Sequence, residues 1–88
     1  MKLLYCTECR SITSLNYDRH ECFCGKCKGR YEPDGVTVVY SGPAVMLGIL
    51  NRSFVEAVAG QPIKAGKGRR FEAFVIPVEC EMTIYEGE

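Results

Sequence analysis

Apolar and polar positions follow two different rhythms along this chain. In the first 41 residues the apolar stretches are short, rich in β-branched and aromatic side chains, and separated by polar turns. Leu3 to Tyr5 is a brief apolar strand. "SITSLNY", 11 to 17, reads as a second strand and "GRYE", 29 to 32, as a third. Between them "DRHE", 18 to 21, is a polar connection. "PDG", 33 to 35, is a turn, because Pro33 presets its φ and Gly35 tolerates positive φ. "VTVVYS", 36 to 41, is then a strand. The pattern predicts a three- or four-stranded antiparallel ribbon.

The second half changes character. "GPAVMLGIL", 42 to 50, is apolar but interrupted by Gly42, Pro43 and Gly48, so it reads as a loop. Such a loop either covers the sheet or leaves Ala44–Leu50 as an apolar patch for a partner. "NRSFVEAVA", Asn51 to Ala59, is the one helix, with Phe54, Val55 and Val58 on one face. Ser53 and Glu56 fit a capping box, with Asn51 as the competing N-cap, and Gly60 and Pro62 end the helix. A helix of about two and a half turns is not stable alone, so it is expected to pack on the sheet. "KAGKGRR", 64 to 70, is a basic loop; "FEAFVIPVE", 71 to 79, is a strand; "MTIYEGE" adds an edge strand before an acidic end. The chain shows no repeat and no linker, so residues 1–88 form one α+β domain.

The cysteines add chemistry to this frame. Cys6 and Cys9 are spaced C-x2-C, as are Cys24 and Cys27, and fourteen residues separate the pairs. That arrangement suits Zn²⁺, which takes four soft ligands in a tetrahedron. Gly25 supplies a backbone that turns left-handed without steric cost. Cys22 opens a second scheme, Cys6, Cys9, Cys22 and Cys24, with Gly25 following the last ligand. Spacing alone prefers Cys27 to Cys22 and leaves Cys6, Cys9 and Cys24 common to both. His20 is a further ligand candidate, although a surface histidine between Arg19 and Glu21 is the simpler reading. Cys24-Gly-Lys-Cys27 also has the form of a redox motif, but the "KGRYEPDG" that follows is a poor helix, and such motifs need one. Cys80, alone in "PVECEMT", reads as a small buried side chain or an unreactive thiol.

"CTEC…CGKC", with short strands around it, resembles a zinc ribbon over residues 3 to 40. The resemblance implies a small metal-held β module with one Zn²⁺, extended over 41–88 by an antiparallel sheet and one short helix. It implies no particular activity. The whole chain is also similar to small uncharacterised bacterial and phage zinc-ribbon proteins whose second loop has the C-x-C-G form seen at 22 to 25.

The totals narrow the function classes. Eleven basic residues balance eleven acidic ones, and four thiolates around one Zn²⁺ would leave about −2 at the site. That is a poor start for a general nucleic-acid binder. Lys26, Lys28 and Arg30, with Lys64, Lys67, Arg69 and Arg70, are candidate phosphate contacts only if the two stretches share a face. Glu79, Glu81, Glu86 and Glu88 oppose them. No run approaches the ~20 apolar residues of a membrane span, and "MKLLYC" is too short for a signal peptide. The expectation is a cytoplasmic protein whose cysteines bind metal. The sequence has no serine–histidine–acid set and lacks a phosphate-binding loop pattern, and four cysteines would close a zinc site to substrate. A non-enzymatic module with a protein partner is therefore expected, with nucleic-acid binding as the alternative.

Overall fold

The structure is a computed structural model that describes residues 1–86. Its elements, in chain order, are β1 (Lys2–Cys6), β2 (Ile12–Ser14), β3 (His20–Glu21), β4 (Lys28–Tyr31), β5 (Val38–Ser41), β6 (Ala44–Ile49), α1 (Asn51–Ala59), β7 (Ala73–Val75) and β8 (Thr83–Tyr85). They form two four-stranded sheets, ordered β2-β1-β6-β7 and β3-β4-β5-β8. The molecule is α+β and mostly sheet. All pairings are antiparallel except that of β8, which runs parallel to β5 as an edge strand.

Alternation in β1 sets the inner face. Leu4 and Cys6 are fully buried, while Leu3 and Tyr5 on the other face are partly covered. Leu4 lies opposite Met46 of β6, which is also buried. The second sheet adds Val38 and Tyr40, and the return after β7 adds Ile76. One core thus draws on both sheets and includes Cys6, Cys22 and Cys27. Residues 41–86 contribute β6 and β7 to the first sheet and β8 to the second.

The β4–β5 turn follows its sequence signature. Gly35 has φ of 71°, and Asp34 Oδ1 accepts the backbone N–H groups of Val36 and Thr37. These bonds hold the Asp34 carboxyl below the usual carboxylate range.

Four expectations change. The segments of the first 41 residues do not form one ribbon: β1 and β2 pair in the first sheet with β6, whereas β3, drawn from the "DRHE" connection, pairs with β4 and β5 in the second. Within the 42–50 stretch, Ala44–Ile49 is a strand in the middle of its sheet rather than a loop, because β1 and β7 hydrogen-bond to both its edges. Gly48 is no break there. It lies opposite Phe74, whose ring occupies the space a side chain would need, 2.5 Å from an added Cβ. The strand expected over 71–79 shortens to Ala73–Val75; Ile76 still donates to Met46 O, and Pro77 has no N–H to extend the ladder. The helix has the expected bounds but different packing and caps. Leu50 is the N-cap, without a side-chain cap. Ser53 Oγ instead donates to Leu50 O and accepts from Glu72 N. Asn51 Oδ1 accepts from the amino terminus. No residue of α1 is buried; its main support is an edge-on contact of Phe54 with Phe71, ring centroids 5.0 Å apart.

Candidate metal centre

The centre is built from two loops at the same end of the molecule. In the first, Cys6 closes β1 and the chain turns tightly. Arg10 N donates to Cys6 O at 2.8 Å, and Cys9 N points at Cys6 Sγ at 3.4 Å. Arg10 completes the turn with φ of 60°, the only non-glycine residue with positive φ among the described residues. The second loop is the tip of a hairpin. Cys22 N donates to Cys27 O at 2.9 Å, Gly25 N to Cys22 O at 3.1 Å, and Gly25 takes φ of 79°. Gly42 lets this loop approach β6, since a Cβ there would lie 2.0 Å from Lys26 O.

These turns bring the sulfurs of Cys6, Cys9, Cys22 and Cys24 within 4.8 Å of one another. Cys24 Sγ is 3.7 Å from Cys6 Sγ and 3.4 Å from Cys22 Sγ. A tetrahedron with metal–sulfur bonds of ~2.3 Å has edges of about 3.8 Å. The cluster is therefore close to the size such an ion requires, and its donor set is right for a soft or borderline metal.

Cys22, rather than the Cys27 that spacing prefers, joins the group. Residue spacing is blind to the hairpin register, which makes Cys22 and Cys27 cross-strand neighbours. Cys27 is fully buried behind the cluster. Burial first, and then the sulfurs of Cys6 and Cys22, push its thiol far up. Its backbone is the useful part: Cys27 N donates to Cys22 Sγ at 3.3 Å. His20 lies outside the group, its Nε2 2.9 Å from Asn16 Oδ1.

Hydrogen bonds reach the sulfurs individually. Ser11 Oγ sits 3.1 Å from Cys9 Sγ and accepts Phe23 N–H at 3.2 Å, so its own proton is free for the sulfur. Ser11 thereby ties the first loop to the second. The Ser11 hydroxyl lowers the Cys9 thiol to about 5, against partial desolvation and with help from the backbone of Ser11 and Cys24. For Cys22, burial opposes ionisation, but the Cys27 N–H and the neighbouring thiols outweigh it and the pKa falls. For Cys24, a bond from the Lys26 backbone favours the thiolate, but desolvation and the sulfurs of Cys22, Cys6 and Cys9 prevail and lift it to about 11. Four neighbouring sulfurs cannot all carry charge without a cation between them. A divalent ion would allow all four to ionise. The role of Ser11 was not read from the sequence; its place two residues after the first pair of cysteines is the one available signal.

The basic stretches are separated. Lys26 approaches Glu8 at 3.5 Å and Arg30 meets Glu32 at 2.8 Å. Beside the second loop, Arg19, Lys26 and Lys28 share an open cleft of about 670 Å³ with Glu8 and Glu86. The 64–70 loop belongs to the other end of β6. Arg69 Nη1 caps Glu56 O at the helix terminus, and Leu50 N bonds Glu72 O where the chain returns. Five residue steps along β6 amount to about 17 Å. Of the acidic end, Glu86 pairs with Arg19 at 3.5 Å, and Glu88 lies outside the described residues. Among the described residues no helix is long and apolar enough to cross a membrane. Comparison of the chain with protein-family models, curated proteins and solved structures finds no match.

Proposed function

We propose that Cys6, Cys9, Cys22 and Cys24 hold one Zn²⁺ as a structural staple, and that the protein is a non-enzymatic, cytoplasmic zinc-ribbon module that binds a protein partner. The observation that carries the metal reading is the convergence of four sulfurs within 4.8 Å, two of their separations being 3.4 and 3.7 Å. With four thiolates in place, zinc has no open position for substrate or water, which favours support over catalysis. A chain this short gains most from such a staple.

The partner reading rests on exposed apolar side chains. Ala44–Leu50 is not the favoured surface, because Ala44–Ile49 are buried or partly buried and only Leu50 is largely exposed. Phe23, at the tip of the second loop, is 92% exposed between two ligands. Exposed aromatics on a rigid loop are common anchors of protein interfaces. The test is affinity capture with the wild type and Phe23→Ser, both zinc-loaded. A partner retained by the wild type and lost by the variant supports the reading; equal capture by both contradicts it.

Nucleic-acid binding is the second reading. Lys64, Lys67 and Arg70 form no ion pair among the described residues, which favours a phosphate contact at that loop. Its distance from Lys26, Lys28 and Arg30 argues for a weak contact that salt abolishes. Submicromolar binding of oligonucleotides at physiological salt, lost when Lys64, Lys67, Arg69 and Arg70 become alanine, would replace the protein-partner reading.

A further inference from the structure

The first sheet has two faces, and only one of them meets the core. Leu4, Met46 and Ile76 are buried on the inner face. The register puts a different set of side chains on the outer one. Its middle row, read across all four strands, is Ser14, Leu3, Leu47 and Val75. The row on the metal side is Ile12, Tyr5 and Val45, and the row on the other side is Ile49 and Ala73. None of these belongs to the core or to the side chains packed against it. Leu3, Tyr5, Val45, Leu47 and Ile49 screen one another only in part, and Ile12 and Val75 at the margins are 59% and 67% exposed.

The outer face of the second sheet is built differently. Val38 and Tyr40 turn to the core, so the opposite face holds Val39 and, across the strands, Arg30, Lys28 and Glu21. Such a mixture suits an antiparallel face turned to water. The outer face of the first sheet carries no charged side chain. A helix laid over it would bury its own inner side, but no residue of α1 is buried, and residues 60–72 are exposed throughout. A continuous uncharged sheet face left open in this way is an interaction surface. No one segment exposes much of it; the four strands together make it continuous.

We propose that this face is the interface of a homodimer, covered by the same face of a second copy of the chain. Two uncharged faces meet without setting like charges opposite one another. The chain has eleven basic and eleven acidic residues, and the zinc-loaded protein, at about −2, carries too little charge to keep copies apart. The extent of the face also fits. Four strands about 4.8 Å apart and the six residues of β6 give a face of roughly 15 Å by 20 Å; two of them, with their side-chain relief, bury on the order of 1,000 Å², the least that a specific interface needs. A twofold axis through the middle row stacks Leu3 and Leu47 of the two copies on one another, with the sheets about 10 Å apart and their strands within about 30° of alignment. An interface at the lower limit of size makes the dimer weak, with a dissociation constant in the micromolar range. A chain that buries so little of its own surface gains stability from such pairing.

The test is sedimentation equilibrium of the zinc-loaded full chain from about 1 µM to about 1 mM, a range that brackets a micromolar constant. The mass is expected to rise from 9.8 kDa toward twice that value. Leu47→Lys sets two unpaired ammonium groups at the twofold axis and should weaken the dimer at least about tenfold. Val75→Glu alters a side chain that is already 67% exposed, so it spares the fold and should weaken the dimer several-fold. Zinc content unchanged from the wild type shows that each variant is folded. In the wild type alone, amide shifts that change on dilution should map to β1, β6 and β7. A mass that stays at 9.8 kDa over the whole range would overturn the proposal. So would a dimer whose constant is the same in both variants, or dilution shifts confined to the second cysteine loop. None of these results bears on whether the four sulfurs hold zinc.

Discussion

The two ends of β6 are supported in opposite ways. At the Ala44 end, two loops, each closed by backbone hydrogen bonds, converge on four sulfurs, and Cys6, Cys22 and Cys27 belong to the core. At the Ile49 end a helix begins in which nothing is buried, and no residue from 50 to 75 is buried either. Val55 and Val58 are more than half exposed and Ile63 is fully so. The first end gains its order from directional bonds, and the second relies on one aromatic pair, a serine bridge and the β6–β7 ladder. Directional bonds can order a small region that has too little apolar surface to bury. Where they are missing, apolar surface stays open and available to another molecule.

The largest expected effect comes from removing the metal. Structural zinc is worth about 10–16 kcal/mol in small finger peptides, comparable to the whole stability of a domain. Chelation under reducing conditions should abolish amide-exchange protection in β1 and through residues 20–31. Retained protection there would remove the contrast between the two ends.

Core truncation comes next. Leu4→Ala should lower stability by about 2–5 kcal/mol, because Leu4 is fully buried against Met46. Val55→Ser and Val58→Ser in α1 should each change it by about 0.5 kcal/mol or less. Denaturant titration of the zinc-loaded proteins checks both. A large loss from either helix variant would mean that α1 carries more of the fold than its exposure indicates.

Much of this was legible in the sequence, for local reasons. The first cysteine pair, the Gly35 turn and the bounds of α1 each depend on residues close together in the chain. What misled depended on distant residues. Gly48 looked like a break because Phe74, which fills its space, is 26 positions away. The Ser53–Glu56 signature suggested a capping box, but Glu72 supplies the N–H that Ser53 accepts. The choice between Cys22 and Cys27 is local by contrast, but a count of spacings carries no hairpin register: it is the Cys22 sulfur that lies within 4.8 Å of those of Cys6, Cys9 and Cys24.

Two smaller effects sharpen the account of the loops. Arg10 holds a left-handed φ of 60°, a conformation that costs most residues roughly 1–2 kcal/mol. Arg10→Gly should recover about 0.5 kcal/mol, less than the strain because glycine also gains freedom when unfolded; thermal melting of the metal-loaded variant checks it. The Asp34 carboxyl has a depressed pKa, so its bonds to Val36 and Thr37 support the β4–β5 turn above its unfolded pKa. That support is lost as pH falls through the lower folded value. Asp34→Ala should therefore lose slightly more stability at neutral pH than in acid, and denaturant titration at both pH values measures the difference.

The central claim is that one metal ion is held by Cys6, Cys9, Cys22 and Cys24 while Cys27 stays a thiol. It is tested most directly by metal content in purified Cys22→Ser and Cys27→Ser, measured by mass spectrometry of the intact native protein. The account predicts one zinc per chain in Cys27→Ser, as in the wild type, and loss of zinc in Cys22→Ser. Zinc retained by Cys22→Ser and lost from Cys27→Ser would contradict it.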